Sequence, residues 1–170
     1  MSKVTPTNIE FELSEQGFLV SKTDRKGVIT YCNEPFMKAA GAQERDLLGK
    51  PHNVVRHPDM PRAVFKLFWE KIQNGGEIFA YVKNLRFDGG FYWVYANVTA
   101  SFDERENIIG YYSVRRKVNP KGLNIIKPIY EKILSLERNG GMSESERYLN
   151  DLLKEKGISY EEFSNDLQRL

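Results

Sequence analysis

Alternating apolar and polar residues mark the strands of this chain. The runs "GFLVSKTD" and "GVITYCN" are rich in β-branched and aromatic residues, and "RKG" between them predicts a tight hairpin turn. Three longer runs, at about 78–87, 91–102 and 107–117, predict three more strands, with "RFDGGF" and "DEREN" as their turns. The chain therefore contains two strands, a helical middle part and then three strands.

The middle part changes to a helical period. "EPFMKAAG" and "ERDLLG" predict two short helices, each closed by glycine. We expect Asp59 to cap a longer helix that begins near Pro61 and ends at "NGG". One apolar stripe at three- and four-residue steps supports that helix: Val64, Phe65, Phe68, Trp69 and Ile72.

Together these elements predict an α+β fold: a five-stranded antiparallel sheet with helices on one face. Along "FYWVYANVTASF" one face carries Tyr92, Val94, Ala96, Val98 and Ala100, and its small residues leave room for a cavity beside the helices. The opposite face carries Trp93, Tyr95, Asn97 and Thr99. Because that face is too aromatic to face water, we expect the N-terminal segment or another protein to cover it.

The chain changes character near residue 119. Leu123, Ile126, Ile129, Tyr130 and Ile133 predict an amphipathic helix that Pro128 kinks or restarts. Two further helices are predicted to begin with capping boxes, Ser143 with Glu146 and Ser159 with Glu162. The predicted organisation is an N-terminal cap (1–16), a sensor domain (17–118), a following helix (119–138) and a C-terminal helical tail (139–170).

Composition narrows the class of protein. The chain has 170 residues, enough for one domain and a small appendage, and its net charge of +2 favours neither nucleic acid nor a polybasic membrane anchor. A single cysteine excludes a disulfide framework, and no apolar run approaches the ~18 residues that span a bilayer. We expect a soluble cytoplasmic protein without direct membrane insertion.

The segment "NVVRHPDMPRAVFKLFW" places Arg56, His57 and Asp59 around a proline. A catalytic cluster lacks an obvious nucleophile or phosphate loop, and His52, His57 and Asp59 match no familiar metal-ligand spacing. Two interpretations remain open: a grip on a bound cofactor, or a helix-entry network in which Arg56 pairs with Asp59. Asn84, whose amide is predicted to point into apolar surroundings, either binds a ligand or bonds to nearby backbone.

Four segments, "YCNEPFMKAAG", "LLGKPHNVVRHPDMPRAVFKLFW", "VKNLRFDGGFYWVYANV" and "GYYSVRR", resemble the PAS domain of bacterial aerotaxis receptors. The likeness covers roughly residues 10–137, and "G-x-PHN-x-VRHPDMP" is its most specific motif. The resemblance implies non-covalent FAD binding, redox or energy sensing, and no enzymatic activity. It implies cofactor roles for the matching positions Asn33, Arg56, His57, Asp59, Asn84 and Tyr92.

Three aromatic residues complete the predicted site. Phe65 and Trp69 are expected to wall the pocket, and Phe79 stands near the position where the family places a tryptophan beside the flavin. The predicted partner is a membrane-bound chemoreceptor of the methyl-accepting type, and a homodimer is also compatible. The Trp93 face is the favoured contact surface. The other candidate is the helical tail from Ser143, whose apolar stripes could instead dock back on the domain. The alternative is a PAS interaction module that binds haem, another small molecule or no ligand.

Overall fold

The structure, a computed structural model, describes residues 4–170. Its five strands form one antiparallel sheet in the order β2-β1-β5-β4-β3, which confirms the predicted α+β class. The strands are β1 (Leu19–Asp24), β2 (Ile29–Cys32), β3 (Glu77–Leu85), β4 (Phe91–Phe102) and β5 (Ile108–Arg116). The helices are α1 (Glu34–Ala40), α2 (Glu44–Leu47), α3 (Arg62–Gln73), α4 (Pro120–Gly140), α5 (Met142–Lys156) and α6 (Tyr160–Gln168), with a short 3-10 turn at His52–Val55.

The inner face of the sheet carries the small residues Ala80 and Ala96, both buried, and the helices between β2 and β3 lie against it. α1 begins at the cap residue Asn33, whose side chain accepts from the Phe36 N–H at 3.1 Å, and ends at Gly41 in the left-handed region. Because Ala96 and Val98 of β4 lie on this inner face, the alternation predicted along β4 is correct on this side of the sheet.

The outer face is covered by the C-terminal helices. Tyr130 of α4 donates its hydroxyl to the Tyr81 carbonyl at 2.7 Å and packs against Trp93 with ring centroids 6.3 Å apart. Tyr95 hydrogen-bonds Asn165 of α6, and only 3% of Tyr95 and 7% of Trp93 remain exposed. The covering segments are helices α4 and α6 of the chain itself, so the expectation that the N-terminal segment or a partner covers this face is wrong.

The N-terminal segment runs beside the β3–β4 hairpin, at one end of the sheet. The Thr7 and Phe11 N–H groups donate to the carbonyls of Gly89 and Phe91, both at 2.8 Å, at the β3–β4 hairpin. Residues 1–3 of the predicted cap lie outside the described part of the chain. No helix within residues 4–170 is long and apolar enough to cross a membrane.

Three local predictions need correction. Asp59 does not cap α3: its carboxylate binds Lys83 Nζ at 2.9 Å, and Glu137 of α4 accepts the Ala63 N–H at 2.7 Å instead. The Ser143–Glu146 box does not form, since α5 already begins at Met142 and Glu146 binds Lys66 at 2.8 Å. Pro128 does not restart α4, which runs continuously because Ile126, Tyr130 and Ile133 are buried on both sides of the proline. The Ser159–Glu162 box is confirmed.

Candidate functional site

A cavity of about 290 Å³ lies between α3, the 51–56 segment and the inner face of the sheet. Its volume is close to the lower end of the range for small-molecule sites, and its wall is mostly apolar. α3 contributes one aromatic side and the strands contribute small and aliphatic side chains. The apolar wall consists of Phe65, Phe68, Trp69, Ile72, Val82, Ala96 and Val98.

The charges around the cavity are of one sign. Among residues 4–170, Lys26, Arg56, Lys66 and Arg115 line it and no carboxylate does. Of these four, Lys66 pairs with Glu146, which lies outside the cavity wall. Lys26 and Lys66 are exposed, Arg56 is half-buried and Arg115 is buried. A concave apolar site with an excess of cations at several depths attracts an anionic ligand, because charges near low-dielectric walls interact strongly with opposite charge.

Arg115 lies in a network of neutral groups. Its Nη2 donates to Ser21 Oγ at 2.6 Å, its Nη1 lies 3.1 Å from His52 Nε2, and its Nε donates to the Leu19 carbonyl at 3.4 Å. The His52 ring also stacks on Phe36 with centroids 5.7 Å apart. Although His52 as a residue is only partly buried, burial of its ring and then the Arg115 charge lower its pKa to about 3. His52 is therefore neutral at physiological pH.

Arg56 reaches the cavity from the segment before α3. Its guanidinium lies over the Phe65 ring at 4.3 Å and donates from Nη2 to the Met60 carbonyl at 3.3 Å, while its backbone bridges to Asn84 of β3. Burial lowers the pKa of Arg56. The alternative in which Arg56 pairs with Asp59 is wrong, since Asp59 pairs with Lys83.

His57 lies behind this wall rather than in it. It is 2% exposed, its Nδ1 accepts the Asp59 N–H at 3.1 Å, and its ring meets the edge of Phe91. Burial and then the charge of Lys83 lower the His57 pKa, while Asp59 acts in the opposite direction. Within the described residues, its buried Nε2 has no hydrogen-bond partner. The geometry makes His57 and Asp59 supports of the segment that carries Arg56.

The structure brings four of the nine predicted site residues to the cavity: Arg56, Phe65, Trp69 and Asn84. Tyr92 lies on the same sheet face, paired across β3 and β4 with Asn84, but it is fully buried beyond the cavity wall and burial raises its pKa to about 12. Asn33 lies at the β2–α1 junction and ties it to the start of β1, since its Nδ2 donates to the Phe18 carbonyl at 2.8 Å. Phe79 stacks on Tyr95 on the outer face, so we expect no direct contact between Phe79 and a ligand in the cavity.

Several polar cavity residues lie outside the predicted site, among them Ser21, His52 and Arg115. A signal for Arg115 existed, because alternation along β5 turns Tyr111, Ser113 and Arg115 to the same face. His52 was considered only as a metal ligand. Among the described residues, no group of three or more His, Cys, Asp or Glu side chains is arranged to hold a metal.

Comparison with known proteins agrees with this architecture. The PAS fold family matches residues 12–118. Over 145 residues the chain is 35% identical to the aerotaxis receptor of Escherichia coli (strain K12), a stretch that makes up 85% of this chain and 27% of that receptor. The chain thus spans about a quarter of the length of this relative.

Two solved structures have the same fold. The dark-state LOV domain of the blue-light photoreceptor Aureochrome1 is 27% identical, with a TM-score of 0.54 over 73% of this chain and 85% of that chain. A light-oxygen-voltage domain studied with a flavin analogue is 20% identical, with a TM-score of 0.58 over 69% of this chain and 88% of that chain. At this identity the second likeness shows the fold alone. From the five-stranded antiparallel sheet, the cavity on its inner face and the family match, we conclude that this chain belongs to the PAS fold family.

Proposed function

We propose that this PAS protein binds FAD non-covalently in the cavity and acts as a non-enzymatic redox or energy sensor. The observation that carries the proposal is the combination of apolar walls, a buried amide and a lining whose charged residues, among those described, are all cations. A flavin ring suits the walls formed by Trp69 and Phe65. The FAD diphosphate would lie towards the exposed Lys26 and the half-buried Arg56, since charge-assisted hydrogen bonds to phosphate are the strong ones.

The relative also supports this function, because it is an aerotaxis receptor. Bound FAD would supply the electron-accepting chemistry. The protein's residues would orient the ring, exclude water with α3 and place the Asn84 amide at the ring's polar edge.

We further propose that the output goes by protein contact to a membrane-bound chemoreceptor. The Trp93 face favoured from sequence is occupied by α4 and α6, so this contact involves the tail or requires its displacement. Three carboxylates join the C-terminal helices α4, α5 and α6 to α3, the helix that walls the cavity. Glu137 of α4 accepts from Ala63, Glu146 of α5 binds Lys66, and Glu161 of α6 binds Lys71 at 3.1 Å.

The test is the absorption spectrum of the purified full chain, followed by release of the chromophore and its identification by chromatography. We expect the blue absorbance of oxidised flavin, and stoichiometric FAD on release. Arg56→Ala should lose FAD and keep its circular dichroism, whereas Arg105→Ala, in the exposed β4–β5 turn, should retain FAD. A protein that stays colourless after incubation with FAD contradicts the proposal, and a haem spectrum would replace it.

A further inference from the structure

A second concave region, the α4 groove, lies between α4 and the neighbouring strands β3 and β4, on the opposite side of the sheet from the cavity. It encloses about 510 Å³, within the range of small-molecule sites. Its floor is aromatic and consists of Phe91, Trp93 and Tyr130. Trp93 and Tyr130 are buried and pack against each other with ring centroids 6.3 Å apart. Such a floor can hold the apolar body of a small molecule.

The charges of the α4 groove do not balance. Its lining has three cations and two carboxylates: Lys83, Lys127 and Arg138 against Asp59 and Glu131. One positive charge is therefore left over, which suits a ligand with a single negative charge. Asp59 binds Lys83 at 2.9 Å, whereas no salt bridge within residues 4–170 includes Lys127, Glu131 or Arg138.

The excess positive charge lies around Asp59. Although burial opposes it, the pKa of Asp59 is lowered, because Lys83 donates a hydrogen bond to the carboxylate and the charge of Arg138 also acts on it. One carboxylate thus faces two cations, and a second carboxylate between Lys83 and Arg138 would balance them. Lys83 stands directly opposite Trp93 in the β3–β4 pair, so the body of such a ligand would rest on the indole ring.

We infer that the α4 groove is a binding site for a small amphipathic monocarboxylate, with its carboxylate between Lys83 and Arg138 and its apolar body on Trp93. The site does not depend on the proposed function, since successive residues of β3 turn to opposite faces, Lys83 to the groove and Asn84 to the cavity. Trp93 is also a natural reporter. Its buried Nε1 has no hydrogen-bond partner among the described residues, so its environment depends on what approaches the ring.

An ordinary solvated crevice is the competing explanation. Lys83 Nζ lies over the Phe91 ring at 4.4 Å and Lys127 Nζ over the Trp93 ring at 6.0 Å. The methylene stems of lysine adopt this arrangement on many apolar surfaces. A crevice of this kind takes up an apolar solute without regard to its charge. The proposed site instead prefers a carboxylate to the uncharged amide of the same shape.

The experiment follows the indole N–H signals of the isotope-labelled full chain by NMR while phenylacetate is added. Trp93 lies in the groove and Trp69 in the cavity wall, and Trp69→Phe assigns the two signals. We expect the Trp93 signal to move saturably at millimolar phenylacetate, as suits a ligand of this size, and the Trp69 signal to stay. Phenylacetamide should bind about fivefold more weakly or worse, because it lacks the charge.

Arg138→Met is the decisive variant, because Arg138 is exposed and its replacement should leave the fold intact. It should weaken phenylacetate binding about fivefold or more. Lys132→Met is the matched control, since Lys132 is an exposed cation of α4 outside the groove lining, and it should bind phenylacetate as wild type does.

Three results would overturn the inference: equal binding of acid and amide, wild-type affinity in Arg138→Met, or no saturable movement of the Trp93 signal. Movement of the Trp69 signal in place of the Trp93 signal would also overturn it, because the probe would then occupy the cavity. A wild-type protein that binds phenylacetate in the groove but never binds FAD contradicts the proposed function and leaves this inference standing.

Discussion

Asn84 is the neutral polar residue of β3 in the cavity wall. It is 5% exposed, and its backbone bridges to Arg56, so both its position and its surroundings are fixed. We predict that Asn84→Asp lowers the midpoint potential of bound flavin, because a carboxylate beside the ring opposes the gain of an electron. Asn84→Ser, which adds no charge, should shift the potential less. A redox titration that gives both variants the wild-type potential would show that Asn84 serves packing alone.

The lowered pKa of His52, a residue of the cavity wall, makes the stability of the folded protein depend on pH in the acid range. Its pKa is about 3 in the folded chain and near 6.5 when unfolded, so at intermediate pH the unfolded state binds the extra proton. The free energy of unfolding should therefore fall as pH drops below about 6.5, by up to ~1.4 kcal/mol per pH unit. We predict that flavin-free His52→Gln has a flatter profile between about pH 5 and 7, above the range of most carboxylates. Parallel profiles for variant and wild type would contradict this assignment.

At the scale of elements, α3 contacts both the cavity and the C-terminal helices. Phe65, Phe68 and Trp69 wall the cavity, while the start of the helix is capped from α4 by Glu137, which is 8% exposed. We predict that Glu137→Leu destabilises the protein by about 1–3 kcal/mol, because the Ala63 N–H loses a charged acceptor. Glu137→Gln, which keeps an acceptor oxygen, should lose less.

Urea unfolding and FAD titration of the same variants would separate an effect on the free energy of unfolding from an effect on FAD binding. Glu131→Gln is the control on α4, since its side chain is exposed. If α3 transmits changes between cavity and tail, Glu137→Leu should also weaken FAD binding, which a cap of only local importance would not do. Equal free energies of unfolding for Glu137→Leu and Glu131→Gln would show that Glu137 does not stabilise the start of α3.

At the scale of the whole molecule, the tail completes the second layer of the fold. α6 covers part of β3 and β4 through the Tyr95–Asn165 and Tyr81–Gln168 contacts, the latter at 3.0 Å. Removal of residues 142–170 would expose part of this aromatic surface. We predict a lower thermal midpoint, dye binding typical of exposed apolar surface, and self-association in light scattering. FAD should be retained because the cavity lies on the opposite face, and a truncated chain that stays monomeric with unchanged stability would contradict the prediction.

Local signals in the sequence determined much of this protein. Alternation along β4 separated the cavity face from the outer face, because successive side chains of a strand point to opposite sides. The apolar period of α3 placed Phe65 and Trp69 together, and the PAS-like motif added Arg56 and Asn84. These features depend on neighbours within a few residues, which is the range over which a sequence can be interpreted directly.

Only the tertiary structure decided which distant groups meet. Glu137 replaces Asp59 at the start of α3 from 74 positions away, and α6 rather than the N-terminal segment covers Tyr95. His52 and Arg115 meet because β1 lies between β2 and β5 in the sheet and brings Ser21 to both of them. Neither strand order nor the choice of partner for a buried charge is encoded in local period or propensity, since each depends on which surfaces exclude water together once the chain has folded.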